Sequence, residues 1–288
     1  MGKEKKNVLS FGADGGELNY YFINGPTPKD VSKNFAKLTG TMPLPPKWAL
    51  GYQQSRWSYY PESKVREIAE TFRKKKIPCD VIYLDIHYMD GYRVFSWDTT
   101  RFSNPQKLLS DLKADGFHVV PIIDPGIKQD QNYSVYKSGV KEDVFVKNPD
   151  GSIYIGSVWP GRCAFPDFTN PKTRSWWSKQ FQNLINIGMT GFWVDMNEPS
   201  VFDTPTKTMP LDVVYNYGGQ VKDHRAAHNV YGMQMARATY DAVRKYKPDS
   251  RPFVLSRANY AGGQRYTAVW TGDNVSSWEH LNRGLPTM

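Results

Sequence analysis

The chain has 288 residues, 40% of them hydrophobic and 23% charged, a composition that excludes a disordered polymer and suits a folded domain of barrel size. No apolar run approaches the roughly 18 residues of a membrane span, no apolar stretch follows Lys3, Lys5 and Lys6 to make a secretory signal, and two cysteines, Cys79 and Cys163, exclude a disulfide scaffold and point to the cytoplasm. The net charge of +9 comes from scattered lysines and arginines rather than one basic stripe, which argues against a nucleic-acid partner, while the aromatic share of 14% supplies rings that pack cores and stack on sugars.

In chain order, residues 18–23 (LNYYFI) read as a strand, the turn Asn24-Gly25-Pro26 follows, and the stretch around 31–38 reads as a helix. Residues 48–53 read as the first strand of a new unit. Pro61 opens a helix whose Val65, Ile68, Ala69 and Phe72 share one face, with cations from Arg73 to Lys76 in its last turn and Pro78 as its stop. Residues 81–85 form a strand apolar on both faces, as in a sheet covered by helices. Asn104-Pro105 caps a helix carrying Leu108, Leu109 and Leu112, ended by Gly116. Residues 118–124 are the third strand. Asn170-Pro171 opens a helix bearing Trp177, Phe181, Leu184 and Ile185, with Gly188 at its end. Residues 191–195 are the fourth strand. A long helix then carries Val230, Met233, Tyr240 and Val243, and residues 253–256 and 267–271 are strands five and six.

This alternation predicts an α/β fold, a (β/α)8 barrel represented by about six β/α units. The expected division is 1–40, the end of an N-terminal β domain of sandwich type with a linker helix, and 41–288, the catalytic barrel, cut after its sixth strand. Long segments at 90–103, 125–170 and 199–224 interrupt the rhythm. Each follows the C-terminal end of a strand, where a barrel builds its site.

Strands end in carboxylates at Asp85, Asp124 and Asp195, and the sixth runs into Asp273. Carboxylates gathered at one rim push one another's pKa values apart, so one can stay ionised while another keeps its proton, the division that glycoside hydrolysis needs. Other chemistries lack their residues: there is no Walker A sequence, no GxGxxG after a strand and no GxSxG elbow, and His224 and His228, four apart, sit in no HExxH pattern. The Asn132-Tyr133-Ser134 and Asn274-Val275-Ser276 sequons carry little meaning without a secretory signal.

The run from Trp193 to Pro199 (WVDMNEP) resembles glycoside hydrolase family 31, the α-glucosidase family. So, in order, do the proline-rich run 41–48, Gly51 to Trp57 (GYQQSRW), Leu84 to Met89 (LDIHYM), Val158 to Gly161 with Phe165 to Asp167, Ser256-Arg257, and Trp270 to Asn274 (WTGDN). The resemblance covers nearly the whole chain. It implies Asp195 as catalytic nucleophile and Asp273 as general acid/base. Asp85 and Arg257 would hydrogen-bond sugar hydroxyls, and Trp57, Trp159, Trp193 and Trp270, with Ile86 and Met196, would line the glucose pocket. Glu198 is expected to orient its neighbours rather than serve as the second acid, because two acids on one short turn would not flank a sugar. Arg257 has a structural alternative, an ion pair with a rim carboxylate.

The expected activity is a retaining glycosidase that removes terminal α-linked glucose from oligosaccharides, without metal or organic cofactor. The alternatives are a catalytically silent carbohydrate-binding fragment, on the ground that a seventh and eighth β/α unit are missing, and an α-xylosidase or transglucosidase of the same family. Linkage preference and oligomeric state stay open.

Overall fold

The structure is a computed structural model. It describes residues 5, 7, 8, 10–13, 15–17, 19–189 and 191–287, the side chains of 285–287 excepted. The chain divides into two units, Met1–Thr41 and Met42–Met288.

In the first unit the predicted helix forms as α1 (Pro28–Thr39). Thr27 caps it by accepting from the Asp30 N–H at 3.3 Å, while its hydroxyl donates to Asp30 Oδ2 at 2.6 Å. Gly40, at φ 95°, ends it. The strand expected at 18–23 is not found: residues 19–23 carry no ladder, and residue 18 lies outside the described residues. A strand exists only through a partner's N–H and C=O groups, and Tyr20, Tyr21 and Phe22 are exposed and unpaired by any strand.

The second unit opens with a correction. The apolar run expected as a strand at 48–53 is mostly a 3-10 turn, Lys47–Leu50, and only Gln53–Gln54 pairs, as β1. Then follow α2 (Glu62–Lys74), β2 (Val81–Leu84), α3 (Pro105–Ala114) and β3 (His118–Ile123). The segment 125–170 holds β4 (Ile127–Lys128), α4 (Ser134–Glu142), β5 (Ile155–Val158) and β6 (Gly161–Ala164). After it come α5 (Pro171–Gln180), α6 (Gln182–Asn186) and β7 (Phe192–Val194). The segment 199–224 holds the hairpin β8 (Val214–Tyr217) and β9 (Gln220–Asp223). The chain continues through α7 (His224–Tyr246), β10 (Val254–Ser256), β11 (Ala268–Val269) and α8 (Trp278–Thr287).

Six strands make one parallel sheet in the order β1-β2-β3-β7-β10-β11, the curled sheet of an incomplete (β/α)8 barrel. The helices between them behave as their sequences dictate. Asn104 accepts from the Lys107 N–H at 2.9 Å to start α3, and Gly116, at φ 78°, releases the chain into β3. α5 and α7 pack closely, with Trp177 fully buried and its indole N–H donating to Thr239 Oγ1 at 3.2 Å. Truncating such a buried ring costs about 3–5 kcal/mol. No described helix is long and apolar enough to cross a membrane.

The two long insertions fold into antiparallel pieces, β4-β6-β5 and β8-β9. They are tied together where the Phe202 N–H donates to Ser157 O at 2.8 Å and Asp203 Oδ1 accepts from the Ser157 N–H at 3.0 Å.

Candidate active site

Register places the site. Val194 pairs with Ile123 on one side and with Ser256 on the other, so the next residues, Asp124, Asp195 and Arg257, stand side by side where three neighbouring strands end. On the far side of β3, Leu84 pairs with Pro121, and Asp85 follows directly. A parallel sheet presents all its carboxyl ends at one rim.

A cavity of about 370 Å³ opens there, within the range of small-ligand sites. It is lined by Trp57, Asp85, Ile86, Ile122, Trp159, Trp193, Asp195, Met196, Arg257 and Asp273. Nine of the ten residues proposed from sequence are therefore brought together. The exception is Trp270, which is not among the lining residues but meets Trp193 edge-on, with ring centroids 5.7 Å apart at 83°. Ile122 was missed. It belongs to β3, pairs with Trp193 and is buried, so its sequence signal is that of core.

The carboxylates stand in different surroundings. Asp195 is 7% exposed. Met196, at φ 56°, turns the backbone so that its N–H donates to Asp195 Oδ1 at 2.8 Å. Burial pushes the Asp195 carboxyl up to about 6, against the pull of Arg257 and of that N–H. Asp85 accepts from the Ile86 N–H at 2.7 Å, and burial, helped by the charge of Asp273, also pushes it up to about 6. Asp273 is exposed on a bend after Gly272, whose φ is 87°.

Arg257 joins two acids. Its Nε lies 2.9 Å from Asp195 Oδ1 and 2.7 Å from Glu198 Oε1. Its Nη2 donates to Glu198 Oε2 at 2.9 Å and to Ser200 Oγ at 3.1 Å. Burial acts against the charge on Arg257, but these carboxylates outweigh it and hold the guanidinium firmly protonated. Burial would likewise raise Glu198, yet the hydrogen bonds from Arg257 and Ser200 leave its carboxyl below the usual range. The geometry thus realises the ion-pair alternative for Arg257. Among the described residues no hydrogen bond uses Nη1, which leaves a donor for the cavity.

Asn197, fully buried, fastens this corner: its Nδ2 donates to Ser256 Oγ at 2.9 Å and its Oδ1 accepts from the Ala258 N–H at 3.1 Å. Asn197 and Ser200 are supports that sequence reasoning missed, since the partners that bring them to this corner, Ser256, Arg257 and Ala258, are distant in the chain.

The aromatic walls come from different segments. Trp193 belongs to β7 and is nearly buried. Trp159 sits at the two-residue turn between β5 and β6 and packs edge-on to Phe202, with centroids 5.1 Å apart. Trp57 is 67% exposed and leans on His87, itself stacked on Tyr60 at 4.4 Å. Among the described residues no group of three or more His, Cys, Asp or Glu is placed to hold a metal ion.

Residues 42–288 match the family described as "Glycosyl hydrolases family 31 TIM-barrel domain". The chain is 56% identical over 276 residues to alpha-glucosidase 2 of Bacillus thermoamyloliquefaciens, covering 96% of this chain and 35% of that protein. A glucosidase II alpha subunit crystal structure, in a form bound to alpha3-Glc2, superposes with TM-score 0.84 at 42% identity, covering 89% of this chain and 28% of that one. The family 31 alpha-glucosidase of Bacteroides thetaiotaomicron does so with TM-score 0.80 at 49% identity, covering 91% and 42%. The chain spans about a third of the length of the curated relatives it matches.

Proposed function

Because the chain belongs to glycoside hydrolase family 31, we propose that it is the catalytic-barrel portion of a retaining α-glucosidase that releases terminal non-reducing glucose from oligosaccharides. The observation that carries this reading is one cavity lined by both Asp195 and Asp273 and walled by Trp57, Trp159 and Trp193. Tryptophan faces suit the apolar faces of a sugar ring, and two carboxylates suffice for the chemistry.

In the first step Asp195 attacks the anomeric carbon as the glycosidic bond breaks, and Asp273 gives its proton to the leaving oxygen. A covalent glycosyl ester on Asp195 results. Water then attacks the same carbon, Asp273 takes a proton from it, and Asp195 is released with glucose of retained configuration. The roles fit the surroundings. The nucleophile is fixed by a backbone N–H and Arg257 at the end of a buried strand, while the acid/base, which must meet water, is exposed. Asp85, with one oxygen on the Ile86 N–H, presents the other to sugar hydroxyls, and so does Arg257 Nη1.

The test is stereochemical. With the full-length enzyme that contains this chain and a p-nitrophenyl α-glucoside, proton NMR reads the anomer formed before mutarotation. α-Glucose is expected first; β-glucose first would overturn the double displacement.

A further inference from the structure

Three neighbouring strands end in carboxylates: Asp85 after β2, Asp124 after β3 and Asp195 after β7. Since β3 lies between β2 and β7, Asp124 is the middle member of the row. Hydrogen-bond donors are distributed unevenly along it. Asp85 receives the Ile86 N–H at 2.7 Å; Asp195 receives the Met196 N–H at 2.8 Å and faces Arg257 Nε at 2.9 Å. Asp124 is 4% exposed, and its Oδ1 is buried with no partner among the described residues.

The charged and titratable groups facing Asp124 are Asp195, Asp85, Glu198 and Arg257, with Tyr88 and Cys163 packed nearby. The one cation among them is Arg257, and it is already held by Glu198 and Asp195. An ionised carboxylate deep in the protein, without a donor and between like charges, is far less favourable than the neutral acid.

We infer that Asp124 is a positioning residue kept as a neutral carboxylic acid beneath the centre of the row, and that its lack of charge is what allows Asp85 and Asp195 to ionise in the free site. The second half rests on the proposed role of Asp195; the first does not. Burial pushes the Asp124 acid well above the carboxylate range, and the charges of Asp195 and Asp85 act in the same direction. A third negative charge here would raise both neighbours and withdraw the nucleophile from its reactive form. The retained proton instead adds a donor to a row in which acceptors outnumber donors.

Infrared spectroscopy of the full-length enzyme in D2O near pH 8, where Asp85 and Asp195 are ionised, tests the protonation directly. A carboxylic-acid C=O band is expected in the spectrum of the wild type minus that of Asp124→Asn, whose amide imitates the neutral acid; acids common to both, Asp273 among them, cancel. In the same variant the acid limb of kcat/KM should stay within about 0.3 pH unit of wild type. Were Asp124 ionised, the substitution would remove a negative neighbour and move the limb down by about 1 unit. No acid band, or such a shift, overturns the inference. Should Asp124→Asn fail to fold, wild type and Asp273→Asn, both labelled with 13C-aspartate, carry the same test: an isotope-shifted acid band persisting near pH 8 in both supports the inference, and its absence overturns it. Asp195→Asn separates the two readings: turnover surviving in that variant would sink the nucleophile assignment while leaving the acid band in place.

Discussion

Replacing Asp195 by Asn should abolish turnover and also stabilise the fold, by an amount that grows with pH. The carboxyl sits at about 6 in the folded chain, against an ordinary value of 3.8. Between those values the native state binds more protons than the unfolded state, so unfolding free energy falls as pH rises. The contribution of this group is fully present below 3.8 and lost once the pH passes about 6. A displacement of about two pKa units corresponds to about 3 kcal/mol, and the attraction of Arg257 is already contained in it. Asp195 is 7% exposed, so solvent screening removes little of this. The amide carries no charge at any pH and lacks this penalty. Urea unfolding of wild type and Asp195→Asn near pH 4 and near pH 8 should show the stability difference shifting toward the variant by about 2.5 kcal/mol. Stability curves that stay parallel across this range would refute the reasoning, because Asp195 would then have no pKa difference between folded and unfolded states.

Further tests address other parts of the site. Asp273→Ala should lose about 10²–10⁴-fold in kcat on poor leaving groups and much less on activated aryl glucosides, with azide restoring rate by replacing the base-activated water; equal losses on both substrates without azide rescue would remove Asp273 from the acid/base role. Because Asp85 and Asp195 both sit at about 6, log kcat/KM should fall on the acid side with a limiting slope steeper than one proton, and Asp85→Asn should reduce it to one in whatever activity remains. Gly232→Ala places a Cβ 2.7 Å from Asn197 O and 2.7 Å from Ala258 Cβ, so it should cost about 1–3 kcal/mol in urea unfolding and lower kcat by displacing the Asn197 corner. A polypeptide of residues 1–288 alone should self-associate in size-exclusion chromatography, since β1 and β11 are edges of the sheet with exposed Tyr52 and Val269 beside them.

The elements legible in the sequence were those whose pattern repeats the local geometry. Asn104-Pro105 and Asn170-Pro171 announce α3 and α5 because an Asn side chain and a proline ring satisfy the first turn without help from elsewhere. The apolar stretch at 48–53 misled because burial and pairing are separate matters. Trp48 is packed, stacking on His118 at 4.5 Å and meeting Phe253 edge-on at 5.2 Å, while Pro46 and Gly51 bracket a 3-10 turn around it. The strands inside the two insertions are two to four residues long, too short for a periodic pattern, and the hydrogen bond that ties the insertions together, from the Phe202 N–H to Ser157 O, joins residues far apart in the chain. The cavity residues were legible largely because most of them adjoin strand ends. Ile122 lies two residues short of that rim, and there core and cavity wall have the same sequence signature.

The division of labour between Glu198 and Asp273 follows from Arg257. Glu198 is three residues from the proposed nucleophile and carries the right functional group, yet both its oxygens are committed, Oε1 to Nε at 2.7 Å and Oε2 to Nη2 at 2.9 Å. A carboxylate so bound, with its acidity increased, is a poor proton donor and a weak base at neutral pH. The Nε hydrogen goes to Glu198, while Asp195 Oδ1, 2.9 Å from Nε, is held by charge rather than by that hydrogen. In the proposed mechanism Asp195 loses its charge when it becomes an ester, and Glu198 still holds that hydrogen. The guanidinium would therefore keep a full carboxylate partner through both proposed displacements, leaving Nη1 for a sugar hydroxyl. The proposed mechanism still requires a second acid for the leaving oxygen, and of the other two lining carboxylates Asp85 is buried, whereas Asp273, after β11, is exposed and can meet water.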